Sequence, residues 1–178
     1  MYNLEEGKKA VIEAGHRLLE SGLIARTWGN VSARISDTQF VITPSGRAYD
    51  TLTPDDIVVV NIDDCSYEGD IKPSSEKGIH ADAYALRSDV NFVIHTHQIS
   101  ASVIGAADLP IDPVPKAYRD LLGETVPCAG YGMPSTDKLR NAVKKEYADN
   151  PNCKAFLMAH HGAVCLGKDF DETFEIIQ

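Results

Sequence analysis

The chain lacks any long hydrophobic run: no apolar stretch approaches the roughly 18 residues that a membrane-spanning helix needs. It also lacks a basic cluster, since 17 Lys and Arg stand against 26 Asp and Glu and the net charge is −9. We therefore expect neither a nucleic acid nor an anionic membrane as a partner, because each requires a cationic face on the protein. The first residues are polar and acidic, unlike a signal or transit peptide.

Cysteine is scarce, and several catalytic motifs are missing. The four cysteines form no C-x-x-C pair; they are Cys65, Cys128, Cys153 and Cys165. We expect reduced thiols in a cytoplasmic protein, although an even count leaves a disulfide open. The chain has no H-E-x-x-H, G-x-S-x-G, P-loop or Rossmann glycine pattern, so metalloprotease, serine hydrolase and nucleotide-binding functions lack support.

The composition is that of one ordinary soluble domain, with 178 residues of which 43% are hydrophobic and 24% charged. An amphipathic helical stripe begins at Phe170 and is cut off at Gln178. We therefore expect residues 1–178 to form a single domain that lacks its C-terminal segment.

Apolar periodicity predicts an alternation of helices and strands. The helices are expected at residues 4–21, 75–87, 100–106 and 136–148, with Asn3 and Ser75 as N-caps of the first two. The strands are expected at residues 40–43, 57–62, 92–95, 154–158 and 163–166. Residues 108–135 are rich in proline and are predicted to be mostly loop.

The most informative residues are histidines at strand ends. His95 and His97 close the apolar run 90–94, and residues two apart in a strand point to the same side. Both imidazoles can therefore reach one metal ion. His160 and His161 close a second apolar run, and only one of these neighbours can join the first pair. Three nitrogens with an exchangeable position are typical of a catalytic zinc site, which Glu76, after Pro73-Ser74-Ser75, could complete.

Three short segments predict an anion pocket. Gly29-Asn30, Ser45-Gly46 and Ser74-Ser75 offer hydroxyl groups and backbone N–H groups, and glycine lets the backbone approach an anion closely. Ser74 and Ser75 stand at a predicted helix N-terminus, which favours negative charge. A phosphate bound there would lie one residue from Glu76.

Other proteins with an H-x-H pattern fit less well. Cupins place a carboxylate a few residues after the pair, whereas this chain has Gln98-Ile99-Ser100-Ala101. Amidohydrolases need a TIM barrel of about 200–250 residues or more, which this chain cannot supply.

Five motifs, in order, resemble the class II aldolase/adducin-head family over nearly the whole chain. They are Gly29-Asn30-Val31-Ser32, Thr43-Pro44-Ser45-Gly46, Lys72-Pro73-Ser74-Ser75-Glu76, His95-Thr96-His97 and His160-His161-Gly162. The resemblance implies an α/β fold with three α/β/α layers around a mostly antiparallel sheet, and a C4 homotetramer.

The resemblance also implies residue roles. Zinc would be held by His95, His97, His161 and Glu76, with Glu76 also the general base and His160 structural. The substrate phosphate would be held by Gly29, Asn30, Ser45, Gly46, Ser74 and Ser75. The acid tyrosine that the family's aldolases take from a neighbouring subunit has Tyr118 as its nearest candidate.

The expected function is a zinc-dependent aldolase that converts a fuculose-1-phosphate-like ketose 1-phosphate to dihydroxyacetone phosphate and a small aldehyde. A ribulose-5-phosphate 4-epimerase is the alternative that Thr27-Trp28-Gly29-Asn30 favours, although that branch has Asp where this chain has Glu76. Sugar-phosphate decarboxylases and dehydratases share the metal set. A non-catalytic adducin-like head is less compatible, because such heads lack the metal histidines.

Overall fold

A computed structural model describes residues 1–24 and 27–178. In these residues a seven-stranded sheet has the order β3-β2-β1-β4-β7-β6-β5. Its strands are β1 Asn30–Arg34, β2 Gln39–Ile42, β3 Val58–Asn61, β4 Phe92–Thr96, β5 Cys128–Ala129, β6 Ala155–Met158 and β7 Gly162–Gly167. Every pairing is antiparallel except that of β5 with β6. The prediction of a mostly antiparallel sheet is confirmed.

Six α-helices accompany the sheet in the same residues. They are α1 Leu4–Glu20, α2 Lys77–Leu86, α3 Ile99–Gly105, α4 Arg119–Leu122, α5 Asp137–Asp149 and α6 Phe170–Ile177. Three short 3₁₀ turns lie at Tyr49–Thr51, Pro54–Asp56 and Lys116–Tyr118. None of these helices is long and apolar enough to cross a membrane.

Two hydrophobic clusters, one on each face of the sheet, produce the three layers. On the α1 face, Phe92 and Ile94 of β4 pack in one cluster with α1 and α6. On the α2 face, Val93 packs in the other cluster with α2 and α5. Neighbouring residues of a strand point to opposite faces, so a strand covered on both sides is a continuous apolar run. This explains why residues 90–94 show no polar alternation.

The register of β4 fixes the side on which His95 lies. His95 stands opposite Asn30 of β1 and opposite Val164 of β7, and it faces the same side of the sheet as Val93. A slip of one residue would turn His95 to the α1 face and expose the apolar set of β4 to the wrong layer. The hydrophobic pattern of the strand therefore positions the histidine.

The prediction that Ser75 caps the second helix was wrong. Glu76 is the N-cap residue of α2, and it makes no side-chain cap bond. The Ser75 hydroxyl instead lies 2.7 Å from the Ser135 hydroxyl, and the Ser74 hydroxyl accepts a hydrogen bond from the Glu76 N–H. Long-range contact with residue 135 therefore replaces the local cap. The other N-cap, Asn3, forms the expected capping box with Glu6.

Residues 108–135 are mostly loop, as predicted, with a few short regular elements. Besides two short helical turns they contain β5, which pairs in parallel with β6. A two-residue strand carries no periodic signal in the sequence, so its pairing partner alone defines it. All four cysteines are free thiols, as predicted.

Candidate active site

The end of β4 brings two imidazoles to one point. His95 lies within the strand and His97 directly after it, and their Nε2 atoms are 2.9 Å apart. The Nδ1–H of His95 donates to the Ala163 carbonyl at 2.8 Å, and this bond fixes the ring so that its Nε2 lone pair faces His97. The two imidazoles therefore meet on one side of the strand, as the two-residue spacing of the histidines predicted.

The turn between β6 and β7 separates the two members of the histidine doublet. His160 has a positive φ of 57°, which turns its side chain away, and its Nε2 lies 3.3 Å from Asp108. The His161 side chain is only 3% exposed, and its Nε2 lies 3.1 Å from that of His95. Gly162 permits this approach, because a Cβ there would lie 2.2 Å from the Thr96 carbonyl oxygen.

Glu76 reaches the histidines from the N-terminus of α2. Its Oε2 lies 3.2 Å from His95 Nε2, and its Oε1 lies 3.1 Å from His161 Nε2. Burial acts to raise the pKa of Glu76, but the adjacent imidazoles of His161 and His95 outweigh it and hold the pKa well below the usual range. Glu76 is therefore an ionised carboxylate that only accepts hydrogen bonds.

The four side chains fit a metal ion. One potential ligand atom from each of Glu76, His95, His97 and His161 lies within 4.8 Å of the others. Tetrahedral ligands of zinc at 2.0–2.1 Å stand about 3.3 Å apart, close to the 2.9–3.2 Å separations of His95 Nε2 from its neighbours. None of the residues that the structure describes donates a hydrogen bond to the buried Glu76 Oε1, which suits an atom that binds a cation.

His97 is held in the form that binds metals. Burial, and then the neighbouring imidazoles of His95 and His161, lower the pKa of His97 to about 4. A neutral imidazole has a lone pair for a metal, whereas a protonated one has none. The local electrostatics therefore favour a metal ligand at this position at neutral pH.

All six residues predicted to hold a phosphate line one cavity of about 180 Å³ beside this centre. Glu76, His97 and His161 line the same cavity, so the two predicted sites share a wall. The six residues are Gly29, Asn30, Ser45, Gly46, Ser74 and Ser75. Gly29 has a φ of 92°, and a Cβ there would lie 2.6 Å from the His95 carbonyl oxygen, so glycine is needed for the close approach to β4.

The donors that this pocket offers are neutral. The N–H groups of Ser45 and Ser74 donate to the carbonyls of Lys72 and Thr43, so these serines offer an anion their hydroxyls. Among the described residues of the lining there is no Lys or Arg. An anion bound here would be held by hydroxyl and amide dipoles and by the N-terminus of α2.

Several lining residues were not among those predicted to form the pocket. Thr27, Trp28, Pro134 and Ser135 contribute to the cavity, and Ser135 has a positive φ of 65°. Ser135 comes from the segment before α5, some 60 residues after Ser75. The Pro134-Ser135-Thr136 run at a predicted helix start was the only local signal for it. Tyr118 lies elsewhere in the chain, on a 3₁₀ turn, and is 59% exposed.

The Asn30 side chain has partners of its own within the protein. Its Oδ1 lies 2.5 Å from His80 Nε2, and its Nδ2 lies 3.4 Å from Glu76 Oε2. Asn30 therefore links the proposed phosphate pocket to the carboxylate of the metal group, a connection that spacing along the chain does not reveal.

A group of three histidines and one carboxylate at the wall of a polar pocket is the arrangement of a metal-dependent enzyme. The family model for the Class II Aldolase and Adducin N-terminal domain matches residues 9–178. The chain belongs to this family, and the predicted class of metal-dependent aldehyde-lyase is confirmed.

Individual relatives carry aldolase names. The chain is 30% identical over 176 residues to the 5-deoxy-D-ribulose 1-phosphate aldolase of Bacillus thuringiensis serovar kurstaki, which covers 98% of this chain and 81% of the relative. A solved L-fuculose 1-phosphate aldolase superposes with a TM-score of 0.85 at 28% identity, covering 96% of this chain and 79% of the other. The L-fuculose-1-phosphate aldolase of Thermus thermophilus gives 0.78 at 25% identity, covering 95% and 86%. The predicted fold class is confirmed.

Proposed function

We propose that this protein is a zinc-dependent aldolase that reversibly cleaves a ketose 1-phosphate to dihydroxyacetone phosphate and a small aldehyde. The main support for this proposal is that Glu76, His97 and His161 belong both to the metal group and to the lining of the anion pocket. A substrate whose phosphate occupied the pocket would present its nearby carbon and oxygens to Glu76. The substrates named for the two relatives, a deoxyribulose and a fuculose 1-phosphate, have this arrangement.

Zinc is the proposed metal because three imidazoles and one carboxylate are its usual ligands. Held by His95, His97, His161 and Glu76, it would supply Lewis-acid polarisation of substrate oxygens. Glu76 would act as the base, taking the proton from the hydroxymethyl carbon of dihydroxyacetone phosphate before carbon–carbon bond formation and returning it after cleavage. Its ionised state at neutral pH suits this role.

The pocket residues would bind the phosphate and orient the reacting carbon. The hydroxyls of Ser45, Ser74 and Ser75 would donate to phosphate oxygens, and Gly29 and Gly46 would allow the backbone to approach. The net charge of −9 gives no general attraction for an anion, so binding would depend on these local donors and on the dipole of α2.

The homotetramer, the cytoplasmic location and an acid role for Tyr118 stay predictions. Tyr118 is exposed on its own chain, which is compatible with a side chain that acts in the site of a neighbouring subunit. Analytical ultracentrifugation of the wild type and a kinetic comparison with Tyr118→Phe would test the two structural expectations.

A 4-epimerase is the second candidate. The observation that favours it is Trp28, which is exposed and whose ring centroid lies 6.1 Å from that of His97, at the mouth of the pocket. The glutamate at position 76, where that branch has aspartate, favours the aldolase. Decarboxylases and dehydratases would use the same metal group, whereas an adducin-like head would not need the four ligands that this chain retains.

The direct test is a synthesis assay with zinc-loaded protein. Dihydroxyacetone phosphate is offered together with a panel of short aldehydes, and the ketose 1-phosphate product is identified by mass and by stereochemistry. Product formation with at least one aldehyde supports the proposal. Interconversion of pentulose 5-phosphates with no condensation product would favour the epimerase.

A further inference from the structure

A chain of buried polar side chains leads from the interior of the protein to Glu76. It runs between β1 and α2. Tyr84 Oη lies 2.7 Å from Ser32 Oγ, which lies 2.7 Å from His80 Nδ1. His80 Nε2 lies 2.5 Å from Asn30 Oδ1, and Asn30 Nδ2 lies 3.4 Å from Glu76 Oε2. We call this chain the His80 relay, and its inner members Tyr84, Ser32 and His80 have no role in the aldolase chemistry described above.

The orientation of the Asn30 amide sets the direction of every hydrogen bond in the relay. The Asn30 Nδ2–H donates to Glu76 Oε2, and the Asn30 Oδ1, which can only accept, faces His80 Nε2. His80 must then carry its proton on Nε2 and donate to Asn30. Its Nδ1 consequently accepts from the Ser32 hydroxyl, which in turn accepts from Tyr84. In each of the four hydrogen bonds, the donor group points along the relay toward Glu76.

Burial makes this order strict. The exposed fraction is 0% for His80 and Ser32 and 1% for Tyr84. Burial, and then the nearby imidazole of His95, lower the pKa of His80 to about 3, so the ring stays neutral. A buried polar group is costly unless its partners are in place. Reversing any one bond would place two donors or two acceptors face to face, so the side chains have a single consistent arrangement.

We propose that His80 is a positioning residue, which holds the Asn30 amide so that its N–H fixes Glu76 Oε2 and leaves Oε1 for the metal and the proton transfer. The inference about turnover rests on the proposed aldolase function, whereas the bonding order does not. An apolar residue at position 80 would fill the same space between β1 and α2 but would release the amide of Asn30. Glu76 would then rotate among orientations of which only some place an oxygen at the reacting carbon.

The first test compares three variants of the zinc-loaded enzyme. His80→Gln keeps an N–H donor at the position of Nε2, His80→Leu removes it, and Val143→Ala removes packing from α5, in the same hydrophobic cluster but outside the relay. We expect His80→Leu to lower kcat about 10- to 100-fold, the range in which misplacing a reactive group acts. The KM for the ketose phosphate should change much less than kcat, because the serine hydroxyls of the pocket are untouched.

Rescue separates positioning from a structural role. His80→Gln should recover most of kcat, whereas Val143→Ala should lower Tm and leave kcat unchanged. Retention of full kcat in His80→Leu would overturn the proposal. So would a loss of kcat that follows Tm or zinc content across all three variants.

The second test needs no activity. In metal-free protein labelled with ¹⁵N-histidine, NMR should show His80 as the Nε2–H tautomer at neutral pH, with its resonances assigned by their loss in His80→Gln. Tyr147→Phe, which removes another buried hydroxyl of the same layer, should leave that tautomer unchanged. An Nδ1–H tautomer would contradict the bonding order. Failure of wild-type protein to cleave any ketose 1-phosphate would instead count against the proposed function, and the tautomer would still decide the relay.

Discussion

The two faces of β1 differ in their chemistry. Val31 and Ala33 point to the α1 face and lie in its apolar cluster. Their neighbours Asn30 and Ser32 point to the α2 face, where they hydrogen-bond to Glu76, His80 and Tyr84. Five consecutive buried residues therefore serve two purposes. The apolar face stabilises the fold, and the polar face organises the site, so damage to each should have a different signature.

Removing a metal ligand should have the largest effect on the site that the polar face of β1 organises. His161→Ala should lose most of the bound metal and reduce activity by at least about 1000-fold, because the metal-assisted step contributes several kcal/mol. Metal analysis of purified protein and kcat/KM together give the result. His160→Ala is the matched control, since its side chain is turned away and 48% exposed. Metal loss in His160→Ala with full retention in His161→Ala would mean that the other member of the doublet is the ligand.

The corresponding substitution on the apolar face is Leu18→Ala. Leu18 of α1 is fully buried in the cluster of the α1 face. Its truncation should lower the free energy of unfolding by about 2–5 kcal/mol, measured by urea denaturation. Below the unfolding transition kcat should equal that of the wild type. If kcat fell in step with stability, the two faces would not be independent.

A negative charge introduced into the anion pocket should weaken substrate binding without affecting the fold or the metal site, which separates binding from both. Ser75→Asp would place a carboxylate where the substrate phosphate is proposed to bind, and lost charge-assisted hydrogen bonds commonly cost about 1.5–3 kcal/mol. We expect KM for the phosphorylated ketose to rise by about 10- to 100-fold with that loss. Ser75→Ala is the milder control. Equal inhibition of wild type and Ser75→Asp by inorganic phosphate, with zinc and fold intact, would place the pocket elsewhere.

The smallest effect concerns acid stability. The pKa of His80 is about 3 in the folded protein against an ordinary 6.5, so between these values the unfolded chain binds a proton that the folded chain does not. The free energy of unfolding should therefore fall as the pH drops below about 6.5, by up to about 1.4 kcal/mol per pH unit for this one group. Above that pH the group has no effect.

Metal-free His80→Gln should show a shallower decline than metal-free wild type between pH 7 and pH 5. His97, whose pKa is also lowered, contributes equally to both proteins. Parallel curves for the two would show that His80 is not buried in its neutral form. Urea denaturation at several pH values provides the measurement.

Local periodicity was enough to predict part of the site. His95 and His97 follow a recognisable apolar run, and period two places them together. The choice between His160 and His161 was different, because it depends on a left-handed backbone at His160 that spacing cannot reveal. The family resemblance supplied that choice. The structure agrees with it, since only the His161 ring joins the other two.

Contacts between distant segments account for what the sequence did not show. Ser75 was predicted as a local cap, but Ser135 holds its hydroxyl across 60 residues. No local pattern indicates a role for His80, because its partners Asn30 and Ser32 lie on another element about 50 residues earlier. The antiparallel order of the sheet was likewise implied by resemblance and not by the pattern of any single strand.

The central claim is that Glu76 is the base of an aldolase, and hydrogen exchange tests it most directly. Zinc-loaded wild-type protein is incubated with dihydroxyacetone phosphate in heavy water, without any aldehyde, and deuterium at the hydroxymethyl carbon is followed by NMR. An aldolase must remove that proton, so we expect exchange of one hydrogen, stereospecifically. Glu76→Gln should abolish the exchange while retaining much of the zinc, since three histidines remain. Exchange that persists in zinc-loaded Glu76→Gln, or its absence in zinc-loaded wild type, would contradict this account.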